Sequence, residues 1–540
     1  MNKYIKYAFA AASLVFASTS CSDFGDTNID PEHMNEGNVP YEMLFTNAQH
    51  QMLGSDWDVW RNACIYSAQW MQHVSSIRNW WNYSLYAYNE GYSSAYWGIY
   101  SGDRGALRDV TTVMDLWKDQ EGYEIDYNMA RIVRVYGMHR MTDLYGDIPY
   151  SQAGRPNEYS YPVYDAQKDI YMDMLKELDE AQANLKAGGV AKVGKQDVYF
   201  QGDAEKWVKF ANSLMLRIAM RMSKVEPETA KTWVNKAVSN GLITSNAENV
   251  KLEHPAGVTT DDSSEPYAKI YSHEDRGEFF VSEYFVNMLK ETSDPRLALI
   301  TTVCEDPTIS VQDASNYQYG NSDPAIQKGL PCGYSNDKTN EWFIGIDYPE
   351  FKDDKYLDNY RSVYSTINRY TYSNPTSPTF IVTYAQTQLL LAEAAVRGWI
   401  SGDAKTYYET GVRAAMEQFS QFPNATALYN QYLTSDAVDA YLAKNPFDGS
   451  LKQINTQYWI NCFCDEYETF ANWRRSGYPE LVPVKNAKTY GLCATDGSIP
   501  RRFAYPSTES QVNSDNYNSA VSKLENGDTF MSRVWWDTKY

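Results

Sequence analysis

Beyond its first residues, this 540-residue chain has no apolar run close to the ~20 residues that a membrane-spanning helix needs. Basic residues are too few to balance the acidic ones: 48 Lys and Arg stand against 69 Asp and Glu, and the net charge is -21. Phosphate backbones and anionic lipid surfaces repel such a chain, so we expect neither nucleic-acid binding nor electrostatic docking on lipid. The sequence predicts a body that lies in water.

Cysteine and histidine are sparse, with seven and six residues respectively. So few cysteines over so long a chain do not form a disulfide scaffold. Cys462 and Cys464 are separated by one residue, not by the two of a redox or zinc pair, and the histidines are scattered singly. We therefore expect no metal site and no cofactor. Without Cys21, six thiols remain, enough for up to three bridges that the sequence does not assign.

The N-terminal segment has the layout of a secretory signal peptide. Lys3 and Lys6 precede the short apolar stretch 8–17, and small residues then lead to Cys21. This order resembles the cleavage site of a bacterial lipoprotein, whose cysteine is acylated and anchors the protein, at about 0.8 kcal/mol per buried methylene. We assign residues 1–20 to the signal peptide and Cys21 to lipidation. Plain secretion with Cys21 as a free thiol is the alternative.

Amphipathic helices, arranged in pairs, dominate the chain. After Asp203, apolar residues from Trp207 onward fall at steps of three and four, and a second helix follows that closes at Gly241. Two further pairs are predicted over 127–186 and 382–420. Such pairs, with small residues at the crossings and large aromatics between, resemble tetratricopeptide repeats. The predicted fold class is mainly α: a superhelix of degenerate tetratricopeptide-like helix pairs with an irregular, loop-rich lobe.

The irregular lobe is predicted over about 251–378. This stretch is rich in Asp, Ser, Asn, Pro and Gly and has little periodicity, which is typical of long structured loops. No flexible linker divides the chain after the signal peptide. We therefore predict a single domain over 21–540 that combines the helical scaffold with the lobe.

The segment 78–102 holds three tryptophans and six tyrosines. Its second half, around Tyr96, Trp97 and Tyr100, leads at helical steps into further apolar residues and is predicted to be a core helix. Its first half has no sustained period, and its rings alternate with Asn and Ser; they are Trp80, Trp81, Tyr83, Tyr86 and Tyr88.

Flat rings beside polar side chains suit a ligand with an apolar face and polar edges, as a sugar ring has. The first half of the segment is therefore predicted to be a binding platform, although each of its rings has packing as an alternative role. The same platform can also grip a peptide. The predicted ligand-binding residues in this segment are Arg78, Trp80, Trp81, Asn82, Tyr83 and Tyr86.

Eight short motifs, in order along the chain, resemble the SusD-like (SusD/RagB) family of nutrient-binding outer-membrane lipoproteins. Among them are "CSDFGDTNIDP" after the signal peptide, "DLYGDIPYSQA" at 143–153 and "GDAEKWVKFANSLMLRIAMR" at 202–221. "ETFANWRRSGYPEL" at 468–481 and "DTFMSRVWWD" at 528–537 belong to the same series. The resemblance covers residues 21 to 537, nearly the whole mature chain.

The resemblance implies four tetratricopeptide-like helix pairs and a position at the cell surface, where family members cover a TonB-dependent (SusC-like) transporter. Members capture an oligosaccharide, or in some cases a peptide, pass it to the transporter and have no catalytic activity. Their ligand contacts come from two places: aromatics in the loop before the predicted core helix around Tyr96, and the irregular lobe. In this lobe, Trp342 is the expected contributor.

Catalytic motifs are not convincing. The "GVAKVGKQ" stretch at 189–196 has phosphate-loop spacing but carries Gln196 where a magnesium-binding Ser or Thr is required, so a surface loop is predicted. Asp173, Glu177 and Glu180 stand among lysines at helical spacing and are expected to form a solvated face. We expect a non-enzyme that binds an oligosaccharide. The alternatives are a peptide-binding protein of the same architecture, a surface glycoside hydrolase, and a helical adaptor without a small ligand.

Overall fold

The computed structural model describes residues 40–76, 83–100, 105–255, 263–274, 277–304, 320–334, 363–488 and 491–539. It is mainly helical, as the apolar periodicity predicts. The α-helices of six residues or more in these ranges are α1 (Tyr41–Gln51), α2 (Ala106–Trp117), α3 (Glu124–Tyr145), α4 (Gln167–Lys186), α5 (Ala204–Arg221), α6 (Pro227–Asn240), α7 (Glu283–Thr292), α8 (Tyr384–Val396), α9 (Ala404–Glu417), α10 (Thr426–Tyr432), α11 (Ser435–Lys444), α12 (Leu451–Asn461), α13 (Glu466–Ser476), α14 (Ser507–Val512) and α15 (Ser514–Val521). A π-helix, Val59–Ser67, continues the short helix Asp56–Asp58 and leads into Ala68–Trp70, so that residues 56–70 form one helical segment.

Neighbouring helices pack in pairs and build the scaffold. Helices α3 and α4, α5 and α6, and α8 and α9 are such pairs, and α4 also packs on α5. A continuous hydrophobic core runs through them and includes residues from Phe45 to Trp536. The three helix pairs predicted from sequence are confirmed. In α4, α6 and α9 the three- and four-residue steps bury one helix face, whereas α3 is buried on nearly all sides.

The ends of these helices follow the local sequence. At the start of α5, the Asp203 carboxylate accepts hydrogen bonds from the backbone N–H groups of Glu205 and Lys206. Helix α6 stops at Gly241, whose φ of 96° suits glycine. Both ends are where the sequence predicts them.

The lobe between residues 251 and 378 is more ordered than its composition predicts. Within its described part it contains the ten-residue helix α7 and members of three antiparallel two-stranded ladders. The strands of the molecule's described part are β1 (Val74–Ser76), β2 (Ile148–Pro149), β3 (Tyr164–Asp165), β4 (Val250–Leu252), β5 (Phe279–Val281), β6 (Thr301–Thr302), β7 (Thr366–Ile367) and β8 (Thr379–Val382), paired β1–β5, β2–β3, β4–β8 and β6–β7. These pairs join the lobe to the helical scaffold through β1 and β5.

Buried ion pairs tie the helices together at the centre. Arg475 of α13 forms a bidentate pair with Glu393 of α8, at 2.6 and 2.8 Å. Arg221 of α5 donates to Glu468 of α13 at 2.6 Å. Each of these ion pairs thus joins two different helices.

His139, Asp143 and Glu468 lie together in this buried region, with one potential ligand atom of each within 4.8 Å of the others. The guanidinium of Arg221 already contacts both carboxylates, at 3.3 Å from Asp143 and 2.6 Å from Glu468. Burial opposes ionisation of Glu468, but Arg221 and Arg217 lower its pKa to about 2. The cluster is therefore an ion-pair network between α3, α5 and α13.

In the described ranges, none of the helices is both long enough and apolar enough to cross a membrane. The six cysteines from Cys64 to Cys493 are all free thiols, so the bridges that the sequence permits are absent from this part of the chain.

Candidate functional site

Several of the predicted site residues lie outside the described residues. Segment 77–82 contains Arg78, Trp80, Trp81 and Asn82, segment 335–362 contains Trp342, and segment 1–39 contains Cys21. Their predicted roles stay predictions. The surroundings of segment 77–82 are described on both sides, by strand β1 before it and by Tyr83 after it.

Tyr83 lies at a partly open surface. It begins a short 3-10 helix, Tyr83–Leu85, whose position is held by the indole Nε1 of Trp70, which donates to the Tyr83 carbonyl at 3.2 Å. The Tyr83 ring packs 4.8 Å from the ring of buried Tyr66 and 5.8 Å from that of Tyr92. Burial raises the pKa of Tyr83, so its phenol stays neutral. This half-buried ring is compatible with the predicted role.

The structure corrects the prediction for Tyr86. Its side chain is 1 % exposed, and its hydroxyl accepts a hydrogen bond from the Val484 backbone N–H at 3.0 Å. The Tyr86 carbonyl accepts from the Ala494 N–H at 2.9 Å, so the residue joins the loop to the C-terminal part of the chain. A ring packed in this way has no face for a ligand. The alternation of rings and polar residues does not predict this burial, because the backbone turns at Tyr86, where φ is 60°.

The second half of the aromatic segment is core, as predicted. Tyr96 and Trp97 are buried, and the hydroxyls of Tyr96 and Tyr100 donate to the Met52 and Pro149 carbonyls at 2.7 and 2.6 Å. Tyr96 and Trp97 belong to a separate 3-10 helix, Ala95–Ile99, which Tyr100 directly follows, and not to α2, which begins later.

Two tryptophans missed by the sequence analysis extend the surface around Tyr83. The Trp57 and Trp60 rings lie 5.3 Å apart, and Trp60 lies 5.9 Å from Tyr92, which in turn contacts Tyr83. Trp57 is 45 % exposed, and the other three rings are half-buried. We call these four residues, Trp57, Trp60, Tyr83 and Tyr92, the aromatic face.

A cation lies over the aromatic face. The Arg61 guanidinium carbon is 3.5 Å from the centre of the Trp57 ring and 5.2 Å from that of Tyr92. Such a guanidinium stacks on the rings, and its N–H donors point outward in the guanidinium plane. The face therefore combines flat apolar surfaces with hydrogen-bond donors.

These rings meet because two helices pack against each other. Trp57, Trp60 and Arg61 lie on the helix over 56–70, which begins with a capping box between Ser55 and Asp58. The Asn62 side-chain amide donates to the carbonyls of Tyr92 and Ser93, both at 2.9 Å. This contact holds the short helix Glu90–Ser93 against the 56–70 helix. The sequence signal was the pair Trp57 and Trp60 followed by Arg61, which is also usual for an ordinary amphipathic helix.

The three acidic residues at helical spacing, Asp173, Glu177 and Glu180, have structural partners. Arg131 donates to Glu177 at 2.7 Å and to Glu180 at 2.6 Å, and the Tyr150 hydroxyl donates to Asp173 at 2.7 Å. Glu180 is exposed, and Asp173 and Glu177 are half-buried, so the expected solvated face also makes these structural contacts. These carboxylates hold α4 against α3 and are not arranged around an open cleft.

Paired helices that carry a partly exposed aromatic face define a helical-repeat protein with a binding surface. The family model described as "Starch-binding associating with outer membrane" matches residues 32–506, and the chain belongs to this SusD-like family. A comparison with curated protein sequences returned no match.

Solved structures give the same result. A chitin-binding protein is 28 % identical, with a TM-score of 0.76 over 92 % of this chain and 100 % of that one. A SusD-like protein of Bacteroidetes AC2a is 27 % identical, with a TM-score of 0.77 over 93 % and 100 %. A chitin-binding SusD homologue from Flavobacterium johnsoniae is 26 % identical, with a TM-score of 0.70 over 93 % and 99 %. The predicted family and its helical-repeat fold are confirmed.

Proposed function

We propose that this protein captures an oligosaccharide at the cell surface, and that the aromatic face together with segment 78–82 is its binding site. The observation that carries the proposal is the partly exposed cluster of four rings beside Arg61, one of which, Tyr83, directly follows the segment that contains Trp80 and Trp81. The family description and the chitin-binding names of two similar structures support a glycan as ligand.

The chemistry of the surface fits a sugar. Each pyranose ring presents C–H groups that pack on an aromatic face, and removing these surfaces from water supplies most of the affinity. The donors of Arg61 fit the hydroxyl and ring oxygens at the sugar's edge. Asn82 and Arg78, both in the neighbouring segment, are the proposed additional polar contacts.

The proposal includes a membrane anchor and a partner. Acylation of Cys21 tethers the chain to the outer membrane, and the captured oligosaccharide passes to a TonB-dependent transporter. Support comes from the order of residues around Cys21 and from the outer-membrane association in the family description. The proposed activity is binding without turnover.

Calorimetric titration tests the ligand. The purified chain from residue 22, which retains the whole described fold, is titrated with chito-, malto-, plant and fungal oligosaccharides and with a peptide digest. Trp57→Ala, Trp80→Ala and Trp81→Ala are expected to weaken saccharide binding at least tenfold, since each removes a stacking ring.

Trp399→Ala is the matched control. This tryptophan is half-buried, and the Arg397 guanidinium carbon lies 5.3 Å from the centre of its ring. It is far from the aromatic face in sequence, in the loop between α8 and α9. The control is expected to bind like the wild type. Binding of peptides alone would replace the sugar proposal by the peptide alternative, and release of shorter products during the titration would indicate a hydrolase.

A further inference from the structure

A cavity of about 380 Å³ lies beside the aromatic segment, between Tyr88 and the C-terminal part of the chain. Tyr88 is 48 % exposed, so the cavity opens to solvent at this ring. Its size is at the lower end of the ~300–1,000 Å³ typical of small-molecule sites. The lining residues used below are Tyr88, Tyr505, Ser510, Tyr517, Asp528 and Phe530.

Four aromatic rings line the cavity, those of Tyr88, Tyr505, Tyr517 and Phe530. Tyr88 packs edge-to-face on Phe530 at 5.4 Å, and Tyr505 packs edge-to-face on Tyr517 at 6.0 Å. Phe530 and Tyr505 are almost fully buried, so they give the cavity a rigid floor. Rings that meet at steep angles leave flat faces for a ligand on more than one side.

The polar groups of the cavity are held in place. Asp528 accepts hydrogen bonds from Arg502 Nη1 at 2.7 Å and from the Tyr505 backbone N–H at 3.1 Å. Its second oxygen accepts from the Tyr517 hydroxyl at 3.1 Å. The Ser510 hydroxyl, on helix α14, also lines the cavity and donates to the Ser507 carbonyl at 2.6 Å. The carboxylate of the described lining, Asp528, is thus paired with the buried Arg502.

We propose that this cavity is a second sugar subsite, which holds one uncharged sugar ring of the oligosaccharide that the aromatic face captures. The inference rests on the proposed function of the aromatic face. Aromatic walls, fixed hydroxyls and one carboxylate acceptor match the C–H face and the hydroxyl groups of a neutral sugar. The Asp528 charge is paired with that of Arg502, so the described lining suits an uncharged sugar ring better than a charged one.

The two subsites share buried rings. Tyr66 contacts Tyr83 of the aromatic face at 4.8 Å and Phe530 of the cavity floor at 5.7 Å. The proposal places one oligosaccharide across both positions, since the Tyr83 and Phe530 rings both pack on Tyr66. This arrangement makes affinity depend on chain length, because only longer oligosaccharides reach both subsites.

The test compares oligosaccharides of different length on two cavity variants. Tyr88→Ala removes the exposed wall, and Ser510→Phe fills the cavity from α14 without removing a ring. Controls are Tyr370→Ala, an exposed tyrosine of the lobe outside the lining, and Ser519→Phe on the exposed side of α15. Calorimetry measures the binding of chito- and malto-oligosaccharides of two and six units.

Both cavity variants are expected to bind the hexasaccharide about tenfold more weakly, to bind the disaccharide like the wild type, and to keep the wild-type melting temperature. Hexasaccharide binding that neither variant changes, while Trp57→Ala weakens it, would overturn the second subsite and leave the proposed function intact. Equal losses for both lengths would show one continuous site instead. Absence of saccharide binding to the wild type would overturn both proposals.

Discussion

Individual carboxylates in the interior differ sharply in their surroundings. Burial opposes ionisation of Glu393, but Arg475 and Arg397 lower its pKa to about 2. Glu265 is buried without such a partner: its oxygens accept from the Ala268 N–H at 2.7 Å and from the Thr379 hydroxyl at 3.1 Å. Burial raises its pKa to about 7, despite these hydrogen bonds. The same residue type thus has opposite effects on stability as the pH changes.

Glu265→Gln is predicted to remove a pH-dependent destabilisation. Between about pH 4.5 and pH 7 the folded state keeps the Glu265 proton while the unfolded state releases it, so this group lowers the free energy of unfolding as the pH rises. Relative to the wild type, the variant should gain about 3 kcal/mol between pH 4.5 and pH 7.5. Urea unfolding at both pH values measures the difference.

Exposed Glu253→Gln is the control for this measurement and should show the wild-type pH dependence. Asp465, whose pKa burial raises to about 6 against the influence of Arg140, titrates in the same range and is present in every variant. A Glu265→Gln variant with an unchanged pH dependence would mean that the folded state ionises Glu265 at its ordinary pKa.

At the scale of elements, small residues determine how closely the paired helices approach. Gly411 of α9 faces Leu389 of α8, and a Cβ atom at Gly411 would lie 2.9 Å from Leu389 Cγ and 3.2 Å from its backbone nitrogen. This contact agrees with the expected small residues at helix crossings. Because a backbone atom is involved, a side-chain rotation cannot relieve the contact.

Gly411→Ala is predicted to destabilise the protein by about 1–3 kcal/mol, because overpacking at the α8–α9 crossing outweighs the higher helix propensity of alanine. Thermal unfolding measures the change. Gly91→Ala is the matched control, since a Cβ there meets only the Asn89 Oδ1 atom at 3.7 Å. Equal melting temperatures for the two variants would show that α8 and α9 can separate without cost.

The whole molecule combines an acidic body with a proposed single anchor. Its net charge of -21 gives no electrostatic attraction to anionic membranes, and its described helices include none that could cross a bilayer. In the proposed function, acyl chains at Cys21 supply the attachment, since several chains together bind a membrane strongly.

Cys21→Ala is predicted to release the protein from the membrane fraction of a bacterial host that acylates lipoproteins. Cell fractionation and labelling with a fatty-acid analogue measure the effect, and label should be incorporated only when Cys21 is present. Cys493→Ala, at another partly accessible thiol, should leave the protein in the membrane fraction. Retention of the Cys21→Ala variant in that fraction would indicate a different mode of attachment.

The sequence by itself determined the helix pairs, their ends at Asp203 and Gly241, and the family. These features depend on residues three or four positions apart, or on contiguous motifs, so their signal is local. For the same reason the core role of Tyr96 and Trp97 was predictable, whereas the separate 3-10 helix that carries them was not.

Tertiary structure alone decided which groups meet. Tyr83 and Tyr86 are three residues apart, yet one lies at the surface and the other is fixed by Val484, far along the chain. Likewise, Trp57 joins the aromatic face, and Asp528 faces Tyr88 across a cavity, only because packing brings distant segments together. Local periodicity determines which residues form a helix, but burial and charge pairing between distant segments determine which side chains remain available for a ligand.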